Sequence, residues 1–310
     1  MKHFIYVFVC FTAILIPIHS VLAYAPLTTH SGLTENIANF YNFSAPKTIT
    51  DTQMEWLVQG SQNEDNGLRC LNHAYDPIYK RGWHLSLVNA DIGYTSKEWS
   101  QSENAQIAFG AMNLSAIKDT WQSLWLGPNN LDSNQTWNKA IYEYLSGHEK
   151  EAFVALGHVL HLIEDATVPA HVRANSHPDI LGKYSWSDYE EKAKVYDRAT
   201  LKNYAASLQK QGLTSSKFNN LNSLFDDLAG KVNHYYYSDD TIRSSEYKYP
   251  QPEYEGKLPE GYFVMGQDPN GEIIHLAYKQ SGIGYRARSG LDIYTLNNDI
   301  VFKDYWQSLS

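Results

Sequence analysis

Between residues 50 and 234 the apolar positions recur mostly at intervals of three and four, the spacing that lines one face of a helix. Residues 56–57, 105–125, 137–145, 152–163 and 189–208 carry this signal. Asp132 and Ser133 precede one helical stretch, Ser187 and Asp188 precede another, and both pairs are of the side-chain types that cap helix N-termini. Gly147 is placed to stop the helix before it. The pattern changes after about Asp239, where Pro250, Pro252, Pro259 and a run of tyrosines break the helical spacing. Residues 261–265 and 272–276 then flank Asp268-Pro269-Asn270-Gly271, which predicts two strands around a turn. The expectation is a mainly α fold with a small β-hairpin in an irregular insertion at about 239–285, followed by a last helix at 297–309. A hairpin is marginal alone, so this one should pack on the helical body.

The first 23 residues carry a different pattern. Lys2 and His3 give a positive start, residues 4–18 are mostly apolar, and Val21-Leu22-Ala23 ends with the small-residue spacing of an export signal. The apolar run is shorter than the roughly 20 residues that span a bilayer, and no later stretch is comparable. The expected organisation is a signal peptide at 1–23 and one domain at 24–310, secreted or periplasmic, without a transmembrane segment. Cys10 falls in the leader, which leaves Cys70 alone and excludes an intrachain disulfide in the processed protein. The formal charge of -9 gives no basic footprint for duplex nucleic acid. It does not exclude a nuclease, because a bound cation would bring positive charge to the site itself.

The candidate chemistry lies in Gly157-His158-Val159-Leu160-His161-Leu162-Ile163-Glu164-Asp165 and Val168-Pro169-Ala170-His171. His161 and Asp165, four apart on a helix, project from one face about one turn apart, as two ligands of one metal would. Pro169 is expected to end the helix and let His171 fold back toward the same pocket. By spacing alone the three residues suit either metal binding or ordinary hydrogen-bonded core positions. His158 suits a buried supporting role, and Glu164 points about 100° away from Asp165, so neither is placed among the ligands.

The segment 157–171 resembles the core motif of the zinc-dependent phospholipase C family, whose superfamily includes single-strand-specific zinc nucleases. Further positions are similar: Gly60 followed five residues later by Asp65, Asn72-His73-Ala74-Tyr75-Asp76-Pro77, His30 six residues beyond Tyr24, and Tyr189-Glu190. The resemblance implies a multi-helical bundle holding three zinc ions. Asp65, His73, His161 and Asp165 would hold the first. Asp165 would bridge to a third held by His30 and by the amino nitrogen and carbonyl of a terminal Tyr24, while His171 and Glu190 would share the second. The family pattern has a histidine four residues before Glu190, where this chain has Trp186; His177 is the substitute ligand.

The implied activity is an exported phospholipase C that hydrolyses the glycerol-side phosphodiester bond of phospholipids at a membrane or micelle surface with a metal-activated water, and Asp65 orients or deprotonates that water. The family's choline-receiving aromatic positions are Asn66 and Cys70 here, so a choline head group is not implied. A single-strand-specific nuclease or nucleotidase is the alternative within the same chemistry, and a metal-stabilised protein without catalysis is the alternative outside it.

Overall fold

A computed structural model of the chain describes residues 18–19, 24–85, 90–111, 134–175, 179–180, 187–213, 217–242, 244–280 and 293–309. A π-helical turn at Pro26–His30 leads straight into α1 (Ser31–Ser44), followed by α2 (Asp51–Glu64), α3 (Ser96–Trp99), α4 (Glu103–Ala111), α5 (Trp137–Leu145) and α6 (Glu149–Asp165). The later helices are α7 (Pro169–Val172), α8 (Asp188–Ala193), α9 (Tyr204–Lys210), α10 (Leu221–Tyr235) and α11 (Asp299–Leu309). Two short antiparallel pairs join β1 (Ile18–His19) to β4 (Asp179–Ile180) and β2 (Trp83–Leu85) to β3 (Ala90–Ile92). A four-stranded antiparallel sheet, β5 (Tyr254–Leu258), β6 (Gly261–Gln267), β7 (Ile273–Gln280) and β8 (Ile293–Thr295), lies near the C-terminus. The fold is therefore mixed, with the helical part the larger. No described helix is long and apolar enough to cross a membrane.

Among the described residues, the helix pair α2 and α6 makes the most extensive helix contact. Thr50 starts α2 with a reciprocal capping box to Gln53, which satisfies two of the otherwise orphaned terminal donors. The two helices then touch backbone to backbone at Gly60 and Gly157. A Cβ on Gly60 would lie 2.0 Å from the Val154 carbonyl oxygen, and one on Gly157 would lie 2.1 Å from that of Leu57. Only glycine permits this approach, and it brings the C-terminal turns of both helices together.

The expected helix at 137–145 is α5, capped by Thr136; the caps suggested at 132–133 lie outside the described residues, as does most of 105–125 beyond Ala111. The single helix expected over 189–208 is two helices. Asp197 interrupts it: its carboxylate accepts from the backbone N–H groups of Ala199 and Thr200, a local alternative to the helical ladder. Pro169 does not terminate α6, which ends at Asp165; the proline opens α7, where its missing N–H costs nothing.

The expected hairpin is present as β6 and β7, with Asp268 accepting from the backbone of Asn270 and Glu272 across the turn. It is the centre of a larger sheet, since β5 pairs with β6 and β8 with β7. The sheet does not stand apart from the helices. One apolar cluster runs from Tyr24, Leu162, Val168 and Tyr189 to Phe263, Leu276, Tyr305 and Trp306, and the Tyr305 hydroxyl donates to the Leu276 carbonyl at 2.7 Å.

Candidate metal centre

The C-termini of α2 and α6 deliver most of the site. Asp65 caps α2, and the 3₁₀ turn Gly67–Asn72 carries the chain on to His73. His161 and Asp165 occupy the last turns of α6, His171 sits in α7, Glu190 in α8, and His30 at the end of the π-helical turn. Seven polar side chains from five segments thus converge in the interior, with His30, His73, His161, Asp165 and His171 all 0% exposed, Glu190 3% and Asp65 8%.

Their spacing is that of donors around an ion. His73 Nδ1 lies 3.0 Å from Asp165 Oδ2 and 3.6 Å from Asp65 Oδ1, and His161 Nε2 lies 3.4 Å and 3.6 Å from the same two oxygens. The two ring nitrogens are 3.4 Å apart. Donors held at ~2.0–2.1 Å around a tetrahedral zinc are ~3.3 Å from one another, a spacing that His73 and His161 keep with each of the two carboxylates. Asp165 turns its other oxygen, Oδ1, toward His30 Nε2 at 3.4 Å. Nearby, His171 Nε2 and Glu190 Oε1 are 3.3 Å apart.

The residues also pass a test of fit. Both oxygens of Asp65, both of Asp165 and His30 Nε2 are buried without a hydrogen-bond partner. The imidazole nitrogens near the carboxylates are close enough for attraction but out of line for hydrogen bonding. Leaving several charged acceptors unsatisfied in one buried spot costs ~1–3 kcal/mol or more for each group. A cation drawing on all of them removes that cost. The groups Asp65, His73, His161 and His30, His161, Asp165 could each hold a metal ion.

Groups behind the donors fix which nitrogen is offered. His161 Nδ1 donates to the Ser61 carbonyl at 2.8 Å and His171 Nδ1 to the His73 carbonyl at 3.1 Å, which leaves Nε2 of each ring as the nitrogen that can face an ion. His30 Nδ1 lies 2.6 Å from Glu164 Oε2. Its ring stacks on that of His161 with centroids 3.6 Å apart.

Charge is strongly redistributed. Burial pushes the Asp65 carboxyl up to about 6, against the pull of His161 and His73. Burial would raise Asp165 too, but His161, His171 and His73 hold it well below the usual range. Burial lowers His30 to about 3, helped by His161. Burial acts the same way on His73, yet Asp165 and the other carboxylates overcome it and lift that imidazole to about 10.

Of the residues expected from sequence, His30, Asp65, His73, His161 and Asp165 meet in one cluster with His171 and Glu190 beside it. Tyr24 is buried against it, its ring 5.5 Å from that of His30 and its hydroxyl 2.8 Å from that of Tyr189. His177 and Trp186 lie outside the described residues. His158 has the supporting role expected of it, donating from Nδ1 to the buried Glu64. The sequence did not single out Glu64, and it set Glu164 aside as pointing away from Asp165. Glu64 is bound by Arg69, Trp99 and His158, and Glu164 by His30 and Thr34. The signal available was the dipeptide Glu-Asp, which occurs at 64–65 and again at 164–165.

No family model matches the chain, and a search of curated proteins gives no match.

Proposed function

We propose that the protein is an exported zinc-dependent phosphodiester hydrolase of the phospholipase C type. The observation that carries this reading is the buried donor set His73 Nδ1, His161 Nε2, Asp65 Oδ1 and Asp165 Oδ2, extended through Asp165 to His30 and accompanied by His171 and Glu190. Imidazole and carboxylate donors in this proportion suit zinc, and three ions can be distributed over them: one on the four-atom set, one shared by Asp165 and His30 with a free amino terminus at Tyr24, and one on His171, Glu190 and a further ligand for which His177 is the candidate. Zinc ions held there would supply charge neutralisation at phosphoryl oxygens and lower the pKa of water.

The protein's own groups would do the rest. Asp65, with two oxygens free of hydrogen bonds, can hold an attacking water in line while also serving as a ligand. The carbonyls of Ser61 and His73 keep His161 and His171 in one tautomer and orientation. For the head group, Asn66 and the buried Cys70, whose thiol burial pushes up to about 12, offer no aromatic box for a quaternary ammonium. The substrate is therefore taken to be phospholipid without choline preference.

A second reading has its own observation in favour. All donors described are buried, and a closed four-donor set is the arrangement of structural zinc sites, so the metal could serve stability alone. Parallel assays of zinc-loaded mature protein on phospholipids of different head groups, single-stranded nucleic acid and mononucleotides separate the readings. Turnover of phospholipid is expected. Turnover of nucleic acid or mononucleotides alone would move the protein to the nuclease side, and bound zinc without any turnover would leave the structural reading.

A further inference from the structure

We propose that Glu164 is a positioning residue that presents His30 to a metal ion, an inference that rests on the metal reading above. Glu164 follows His161 on α6 and precedes the ligand candidate Asp165, and its side chain is buried within the last turn of the helix. One oxygen, Oε2, faces His30 Nδ1 at 2.6 Å, and the other, Oε1, accepts from the Thr34 hydroxyl at 2.7 Å. Both oxygens are thereby held, one by His30 just before α1 and one by Thr34 in its first turn. In the tautomer that donates from Nδ1 to Glu164, His30 has one nitrogen left. That nitrogen, Nε2, is buried, has no hydrogen-bond partner and points at Asp165 Oδ1 across 3.4 Å.

The alternative for His30 would be to face the cluster with either nitrogen and either tautomer. Glu164 removes that choice, and a carboxylate behind a histidine also makes the ring a stronger donor toward a cation. The pairing matters most for His30 because it stands on a short turn, whereas His161 is held by its own long helix. The consecutive residues Glu164 and Asp165 then act on the same ion from two directions, one directly and one through His30.

The test uses the full mature chain stripped of metal and reloaded with zinc or cobalt(II). Metal content is read by elemental analysis, affinity by competition with a chelator, and the ligand set by the cobalt(II) absorption spectrum. Glu164→Ala and His30→Ala are expected each to weaken one ion by about 10- to 100-fold and to change the cobalt spectrum in the same way. The double variant should lose no more than either single one. Glu164→Gln, whose amide oxygen can still accept from Nδ1, should recover part of the loss. Thr34→Val, which leaves the Glu164 carboxylate in place but frees one oxygen, should weaken the same ion to a smaller degree and provides the measurement if Glu164→Ala does not fold. Unchanged stoichiometry and affinity in folded Glu164→Ala, or in Thr34→Val if the former is unfolded, overturns the positioning role while the metal reading stands. Parent protein that binds no transition metal overturns both.

Discussion

At the residue scale, Glu64 is a buried carboxyl held by several partners. It is 0% exposed, and burial alone would raise its carboxyl; Arg69, His158 and His73 instead hold it well below the usual range. Arg69 Nη2 lies 2.7 Å from Glu64 Oε2, Arg69 Nε donates to it at 2.8 Å, and Trp99 Nε1 donates to Oε1 at 2.7 Å. Removing one partner of such a pair leaves a buried charge uncompensated, which costs ~3–5 kcal/mol. Arg69→Met is therefore expected to lower the free energy of unfolding by about 3 kcal/mol at pH 7, measured by urea denaturation. The pH dependence has a definite sign. A carboxyl with a depressed folded pKa contributes stability above its unfolded value of about 4.3 and loses it as pH falls through the folded one, so parent and variant should converge in acid. A gap that stays constant down to pH 3 would show that the ion pair is not its source. Glu164 was set aside on the sequence for a reason that the structure overturns. Facing arguments assume that a helix has an outside, but the last turns of α6 are buried nearly all round, at His158, Val159, His161, Leu162, Glu164 and Asp165. A residue about 100° from a ligand is then still inside the site.

At the scale of elements, the site depends on how closely α2 and α6 approach. Gly60 and Gly157 stand at the crossing, five residues before Asp65 and four before His161, so a change in helix separation there moves both ligand sets. Gly60→Ala would force its methyl into the Val154 carbonyl, a backbone atom that cannot swing away. Overpacking of this kind costs ~1–3 kcal/mol or more, and metal affinity should fall with it. Gly230 in α10 is the internal comparison, because a methyl there meets nothing within 4 Å. Gly230→Ala should raise stability by about 0.5–1 kcal/mol through helix propensity alone, with unchanged metal binding. Thermal unfolding and a metal titration on both variants check the contrast; equal behaviour would mean that the crossing does not set the site. Legibility also varied by element. The boundaries of α5 follow from strong helical spacing, whereas the break between α8 and α9 depends on what one side chain, Asp197, does to the backbone. The strands β6 and β7 announce themselves by apolar runs around a turn, but β5 is a mostly exposed edge with Glu255, Gly256 and Lys257 in it, and β8 has only three residues.

At the scale of the whole molecule, the candidate centre joins parts of the chain that are far apart in sequence, from His30 through Asp65, His73 and α6 to Glu190. Such a centre can serve as a cross-link, since an ion that binds only the folded donors adds its binding free energy to stability. Removal of metal by a strong chelator is accordingly expected to lower the unfolding temperature, and re-addition to restore it. The effect should depend on pH in a direction set by His73. In the metal-free protein that imidazole is lifted to about 10, so it is protonated at pH 7 and must give up its proton before Nδ1 can accept an ion. Metal affinity should thus rise with pH by at least one proton's worth, about tenfold per unit, between about pH 6.5 and 8.5, since the raised His161 must be neutral as well. Over the same interval the protonated His73 stabilises the metal-free fold, fully below an unfolded value of about 6.5 and decreasingly as pH climbs toward about 10. The metal-free protein should therefore weaken with rising pH while the metal-loaded protein, in which His73 no longer titrates, does not, and the gap between their melting temperatures should widen. Calorimetric titrations in buffers of different ionisation enthalpy count the protons released directly. Binding that releases none, with a melting gap indifferent to pH, would place the ion somewhere other than at His73.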